Sequence, residues 1–269
     1  MISDSELELL IDEVYDVHGF DFGGYSRASF KRRVDRLWHL DGFRSFEEFL
    51  KHVRSDSDYF KRLIQEITVN VTEMFRDPNF YRELRSKILP IIATKPFIRI
   101  WHAGCSTGEE VYSMAILLKE ANLLHKAILY ATDINAEVLE SARSGVFPLR
   151  MMKQYSENYI ASGGTQDFSK YYTANYGSAK FDAEFTSKMV FAQHSLVSDR
   201  SFNEFELILC RNVLIYFDSD LQNRALQLFD DSLPLLGFLA LGSKETLKHS
   251  GLQPKYELFS KDKIWQKIS

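Results

Sequence analysis

The run Ala103-Gly104-Cys105-Ser106-Thr107-Gly108-Glu109-Glu110 puts two glycines and two carboxylates between a short β-rich stretch, Phe97-Ile98-Arg99-Ile100-Trp101, and a helical stretch from Glu109 to Glu120. Glycines at such a turn let the backbone bend and let a ligand come close. A glycine loop is a weak signal alone, but its surroundings exclude two kinds of ligand. There is no GxGxxG, and no Lys-Ser or Lys-Thr follows Gly108, so neither a dinucleotide fingerprint nor a phosphate loop is present. Glu109 and Glu110 suit the dipole of the helix they begin, yet they would repel a pyrophosphate. A cationic ligand without phosphate fits better. S-adenosylmethionine, with its sulfonium and ammonium groups, is such a ligand; the alternative is that both glutamates serve only the helix dipole.

A second β-rich stretch, Ala127 to Thr132, ends at Asp133, where a carboxylate in an open α/β sheet bonds ribose hydroxyls. Asp133 is therefore a candidate ribose ligand. Capping the helix that starts near Asn135 is its other reading, and both can hold at once. A third feature lies upstream: after Ser26, Phe30, Val34, Leu37 and Trp38 share one helical face, with Arg32 and Arg36 opposite and Arg33 at the flank. That is a local basic stripe on a chain of net charge -4, either a docking surface or a solvated face.

The elements that must position these residues fall into two patterns. From Ser3 to about Lys95 apolar residues recur at helical spacing, which predicts four or five short helices. Ser3 with Glu6 and Ser45 with Glu48 have capping-box spacing, Gly19 and Gly42 sit where helices end, and Asp77-Pro78 reads as an N-cap followed by proline at the first helical position. After Pro96 strands and helices alternate, with further strands expected at Met189 to Ala192, Phe205 to Cys210 and Phe238 to Leu241 and helices at Asn135 to Ser144 and Asp218 to Leu233. A last pair, Tyr256 to Phe259 and Lys263 to Ile268, suggests an antiparallel edge. Between Phe147 and Lys188 the rhythm stops and aromatic residues alternate with polar ones, which favours a small inserted antiparallel β element over a long ordered loop.

Bulk properties agree with a globular protein: 269 residues, 45% hydrophobic and 26% charged. The net charge gives no general attraction to nucleic acid or anionic lipid. The only cysteines, Cys105 and Cys210, are far apart in apolar segments and read as reduced thiols of a cytosolic protein. The acidic start Met1-Ile2-Ser3-Asp4 lacks the character of a signal peptide. Leu233 to Leu241, interrupted by Pro234 and Gly237, is far shorter than the ~20 residues a membrane span needs.

Four segments in order resemble the CheR family of chemotaxis receptor methyltransferases. They are Asn70-Val71-Thr72-Glu73-Met74-Phe75-Arg76-Asp77; Ser106-Thr107-Gly108-Glu109-Glu110-Val111-Tyr112-Ser113; Ala131-Thr132-Asp133-Ile134 with Ala142-Arg143-Ser144-Gly145; and Cys210-Arg211-Asn212-Val213-Leu214-Ile215-Tyr216-Phe217. The first and fourth are much more specific than any glycine loop. The resemblance implies an α/β fold: a helical N-terminal domain and linker (1–94), then a Rossmann-like class I methyltransferase domain (95–269) carrying a small antiparallel β-subdomain (147–187). It implies S-adenosylmethionine as cofactor, with S-adenosylhomocysteine as product and no metal. Asn70, Thr72 and Arg76 would approach that cofactor from the linker. Gly104, Glu110 or Glu109, Asp133, Asn212 and Val213 would meet it from the sheet, with Ser195-Leu196 beside the adenosine. The family usually has Asn-Leu at Ser195-Leu196, so a backbone contact is expected there.

The resemblance also implies the substrate, glutamate side chains in the cytoplasmic helical region of chemotaxis receptors, with Arg32, Arg33 and Arg36 gripping that acidic region. Arg76 and Tyr216, polar residues within otherwise apolar motifs, are the candidates for the reaction centre. Nucleic acid and direct membrane insertion are not expected. Some family members also dock a receptor C-terminal peptide on the β-subdomain; the hairpin near Tyr176-Gly177-Ser178 leaves that partner unassigned here. Competing readings are a methyltransferase of the same fold acting on another protein or a small carboxylate, and a non-catalytic module that binds the cofactor.

Overall fold

In the computed structural model residues 2–68, 71–248 and 250–269 are described. The first helix, α1 (Asp4–His18), starts at Ser3 with both halves of the capping box in place and stops at Gly19, whose φ of 72° the side chain of another residue would resist. Next come α2 (Arg27–Asp41), closed by Gly42 at φ 69°, α3 (Phe46–Ser55) and α4 (Ser57–Thr68). At α3 Ser45 accepts from the Glu48 N–H as expected, but the Glu48 carboxylate accepts from the Arg44 N–H, one residue before the cap. Then α5 (Pro78–Glu83) runs through a π-type turn, Leu84–Ile88, into α6 (Leu89–Ile92). Pro78 does occupy the first turn of α5, but Asp77 has φ 60° and its side chain caps nothing; its carboxylate pairs with Arg211 instead.

The remainder is an open sheet: β1 (Ile98–Ala103), α7 (Glu109–Glu120), β2 (Ala127–Asp133) and α8 (Ala136–Ser144) lead into the insertion. The insertion holds β3 (Val146–Pro148), α9 (Met152–Ala161), β4 (Tyr172–Asn175), β5 (Ser178–Phe181) and α10 (Ala183–Thr186). Then follow β6 (Met189–Gln193), β7 (Leu207–Cys210), α11 (Ser219–Asp231), β8 (Phe238–Leu241), β9 (Tyr256–Ser260) and β10 (Ile264–Lys267). Seven strands pair in the order β6-β2-β1-β7-β8-β10-β9, parallel from β6 to β8 and antiparallel where β10 lies between β8 and β9. The expected small antiparallel sheet is present as β3-β5-β4. The helix α9 within the insertion was not expected from the sequence, because only Met152, Tyr155 and Tyr159 of its ten residues are buried and the rest gives a weak apolar stripe.

The two faces of the large sheet bury separate cores. One combines Trp101, Ile208 and Leu239 with α11 and the apolar faces of α1 to α4. The other combines Ile100, Leu129 and Leu207 with α5, α7 and the aromatic residues of the insertion, among them Phe147, Tyr159 and Phe181. The helices α1 to α4 are stitched to the sheet at an isolated antiparallel bridge, Tyr25 to Phe217, with Ser26 N–H donating to the Tyr216 carbonyl and Asp218 N–H to the Gly24 carbonyl, both at 2.9 Å. Among the described residues no helix is long and apolar enough to cross a membrane.

Candidate active site

The chain runs from β1 to β2 and β6 on one side and returns to β7 and β8 on the other. The loops beyond β1 and β7 therefore part, and a cleft opens at the carboxyl ends of the strands, where ligands of such sheets bind. Gly104 to Ser106, Asp133, Ser195 to Val197 and Asn212 line it, joined by Thr68 at the end of α4 and by Thr72 and Arg76 from the segment that follows.

The turn after β1 is tied to β2 by the Gly104 and Cys105 N–H groups, which donate to the Thr132 carbonyl at 2.8 and 2.9 Å. Gly104 has φ +76°, and a Cβ there would stand 2.5 Å from Val213 Cγ2, so its missing side chain lets the loops after β1 and β7 touch. Gly108 was expected to make room for a ligand. The structure gives that space to Ala142, whose Cβ would be 2.8 Å from an added Cβ, so Gly108 serves the packing of α7 on α8.

Asp133 accepts from the Ser106 N–H at 2.9 Å and from the Asn135 N–H at 3.0 Å, locking both turns together. Burial pushes its pKa up, against the pull of backbone N–H donors at Asn135, Ser106 and Ile134. The helix cap is made by Asn135 itself, which accepts from the Glu137 N–H. Asp133 thus keeps its place in the cleft with acceptor capacity to spare.

The two adjacent glutamates separate. Glu110 lines the cleft, accepting from His102 Nδ1 at 2.9 Å and pairing with Arg211 at 3.2 Å. Burial raises its pKa, but His102 and Arg211 outweigh burial and the net shift is downward. Glu109 does not line the cleft. It is bonded by the hydroxyls of Thr107 at 2.6 Å and Tyr155 at 3.2 Å, and burial raises its pKa.

Of the linker residues, Asn70 lies outside the described residues. Thr72 and Arg76 line the cleft; Arg76 donates to the Val71 carbonyl at 3.3 Å, and no acidic side chain among the described residues pairs with it. Tyr216 lines the same cleft, with the Arg33 guanidinium 5.4 Å from its ring centre. Arg33 is therefore turned inward, its other contact being the Glu66 carbonyl at 3.2 Å. Arg32 is exposed, as expected of a basic stripe, while Arg36 is exposed yet paired with Glu66 at 2.9 Å. At Ser195 the backbone contact expected for a ligand is used locally: its N–H donates to Asp199 at 2.8 Å and its carbonyl accepts from the Asp199 N–H at 3.0 Å. The neighbouring Leu196 N–H has no partner among the described residues.

Three residues that shape the site were not singled out from the sequence. Arg211 was visible within a motif, but its junction with Asp77 and Glu110 was not. Glu245 accepts from the N–H groups of Asn212 at 3.1 Å and Val213 at 3.0 Å, holding the loop after β7 in a shape where Asn212 has φ 61°. No pattern near Gly242-Ser243-Lys244-Glu245 marks it. Tyr25 reaches the cleft from the connection between α1 and α2.

Two family models match the chain: "CheR methyltransferase, all-alpha domain" over residues 5–68 and "CheR methyltransferase, SAM binding domain" over residues 70–263. The chain belongs to the CheR methyltransferase family. It is 45% identical to the "Putative methyltransferase Cher3" of Pseudomonas putida, over 98% of this chain and 97% of that protein. It is 32% identical to the chemotaxis protein methyltransferase of Borreliella burgdorferi, over 92% of this chain and 90% of that one, and 31% identical to that of Listeria innocua, over 85% of each. The architecture is that of the CheR family, an all-α N-terminal part followed by a Rossmann-like methyltransferase fold with a small antiparallel sheet, and the activity is S-adenosylmethionine-dependent methyl transfer. The cleft fits this cofactor: in its lining the carboxyl groups of Glu73, Glu110 and Asp133 outnumber the guanidiniums of Arg76 and Arg211, which suits a ligand of positive charge.

Proposed function

We propose that this CheR protein methylates glutamate side chains of chemotaxis receptors in the cytoplasm, forming glutamate methyl esters. The observation that carries this reading is Arg76, a cation without an acidic partner among the described residues, in the same cleft as Tyr216, Glu110 and Asp133. An unpaired guanidinium beside a cofactor cleft is suited to an incoming carboxylate. The names of the relatives from Borreliella burgdorferi and Listeria innocua supply the chemotaxis setting.

When bound, S-adenosylmethionine supplies an electrophilic methyl carbon on a positively charged sulfur that leaves as a neutral thioether. Asp133 would hold the ribose, the Leu196 N–H the adenine edge, and Glu110 with Thr72 and Asn212 the amino-acid end. A glutamate side chain has a pKa of about 4.3, so its carboxylate is already a nucleophile at neutral pH and no general base is needed. Arg76 fixes one carboxylate oxygen, leaving the other to attack in line with the departing sulfur. Tyr216 orients the substrate from the same cleft, and Arg33 holds the Tyr216 ring. Positioning of this kind is worth up to about 7–11 kcal/mol. Exposed Arg32, with Arg36, steers the acidic receptor helix toward the cleft.

The test is transfer of labelled methyl from S-adenosylmethionine to membranes bearing the host's chemoreceptors, read as base-labile ester. Labelled receptor bands support the assignment. Cofactor binding without labelling points to another carboxylate substrate or a sensor, and absence of cofactor binding overturns the reading of the cleft. Arg32→Glu should raise the receptor KM about tenfold at low salt and less at high salt, since screening weakens exposed charges.

A further inference from the structure

Tyr25 belongs to the connection between α1 and α2, far in sequence from the strand ends, yet it lines the cleft beside them. The backbone bridge to Phe217 fixes it there, and Gly24 packs so closely on α11 that an added Cβ would lie 2.8 Å from Leu221 Cβ. The residue is only 9% exposed, its ring set edge-on against Phe22 at 4.9 Å and Phe217 at 5.2 Å. A buried tyrosine ring usually finds a partner for its hydroxyl. No group among the described residues bonds the Tyr25 hydroxyl, and Tyr25 is one of the residues that line the cleft. Asp133 is close enough to act on its charge: burial, then Asp133 and Asp21, push the phenol pKa up, and the group stays a neutral O–H donor.

We propose that Tyr25 is a cofactor-binding residue whose hydroxyl, with the Asp133 carboxylate, forms a two-sided hydrogen-bond site for the ribose diol of the adenosine moiety. This rests on the reading of the cleft as the S-adenosylmethionine site. A ribose hydroxyl both donates and accepts, whereas an ionised Asp133 only accepts. The Ser106 and Asn135 N–H groups nearest Asp133 are spent on Asp133 itself. Tyr25 supplies the missing donor.

The experiment is isothermal titration of S-adenosylhomocysteine into the full chain and into Tyr25→Phe, alongside an analogue lacking both ribose hydroxyls, with melting curves of each protein with and without ligand. Tyr25→Phe should raise the Kd for S-adenosylhomocysteine about 3–10-fold, the loss of one neutral hydrogen bond. The ligand-free melting temperature should hold while the ligand-induced rise shrinks, and the deoxy analogue should bind both proteins alike. Equal Kd values for S-adenosylhomocysteine in the two proteins overturn the role of Tyr25 while leaving the cofactor site intact. A lower ligand-free melting temperature with an unchanged Kd shows a structural role only and also overturns it. Failure of the unaltered chain to bind S-adenosylhomocysteine overturns the reading of the cleft, and this assignment with it.

Discussion

Glu110 and Arg211 meet at 3.2 Å in the wall of the cleft, joining the first turn of α7 to the loop after β7. The Arg211 side chain is 3% exposed, lies 4.0 Å over the Phe80 ring and pairs with Asp77 at 2.6 Å on its other side. One guanidinium therefore ties three segments that are distant in sequence. Removing one partner of such a buried pair leaves the other charge uncompensated, at a cost of about 3–5 kcal/mol. Arg211→Met should lower the unfolding free energy by about 3 kcal/mol in urea melts. A loss below about 1 kcal/mol, the level of an exposed pair, would show that the junction is not acting as a buried one.

The same glutamate predicts a pH dependence. The folded-state pKa of Glu110 is depressed: burial works against this, and His102 and Arg211 prevail. A depressed carboxyl contributes stability above its unfolded pKa, about 4.3, and loses it as pH falls through the folded value. The stability difference between the unaltered chain and Glu110→Gln should shrink as pH falls below about 4.3. Urea melts across that range check it. A difference that instead grew on acidification would contradict the direction of the shift.

Arg76 and the cofactor can be separated kinetically. If Arg76 holds the attacking carboxylate, Arg76→Ala should cut kcat about 10²–10³-fold, as loss of a positioned donor does elsewhere. The Kd for S-adenosylhomocysteine should stay within about threefold, well below the cost of a lost cofactor bond. Arg76→Lys should recover part of the loss, because an ammonium lacks the planar fork of arginine. Full turnover with only a raised cofactor KM would move Arg76 to the cofactor.

The contact between Gly104 and Val213 predicts a coupled pair. Gly104→Ala places a Cβ 2.5 Å from Val213 Cγ2 at a φ of +76°, combining a clash with left-handed strain of about 1–2 kcal/mol. Val213→Ala in the same chain should relieve the clash and leave the strain. The two substitutions should then deviate from additivity by at least about 0.5 kcal/mol in chemical denaturation. Strict additivity would show that the two loops can part without cost.

Local signals determined much of this protein. The Ser3 capping box, the helix ends at Gly19 and Gly42 and the strand Phe238–Leu241 depend on neighbours a few residues away, so the sequence alone predicts them. The motif around Asp133 likewise marks a strand end, because apolar alternation and the following helix start are both local. Tertiary structure decided the rest. Glu109 and Glu110 are equivalent to any reading of the chain, but successive residues on a helix point about 100° apart, and only packing against Tyr155 or Arg211 selects which one faces the cleft. Gly108 resembles a ligand-binding glycine until α8 places Ala142 beside it. Asp77 carries a capping signal that loses to an ion pair with a residue on a distant strand end. Tyr25 enters the site through a pairing that spans most of the chain and Glu245 through bonds to a loop more than thirty residues away, and such contacts leave no periodicity or motif, because their energy comes from burial and hydrogen bonding that exist only once the sheet has formed.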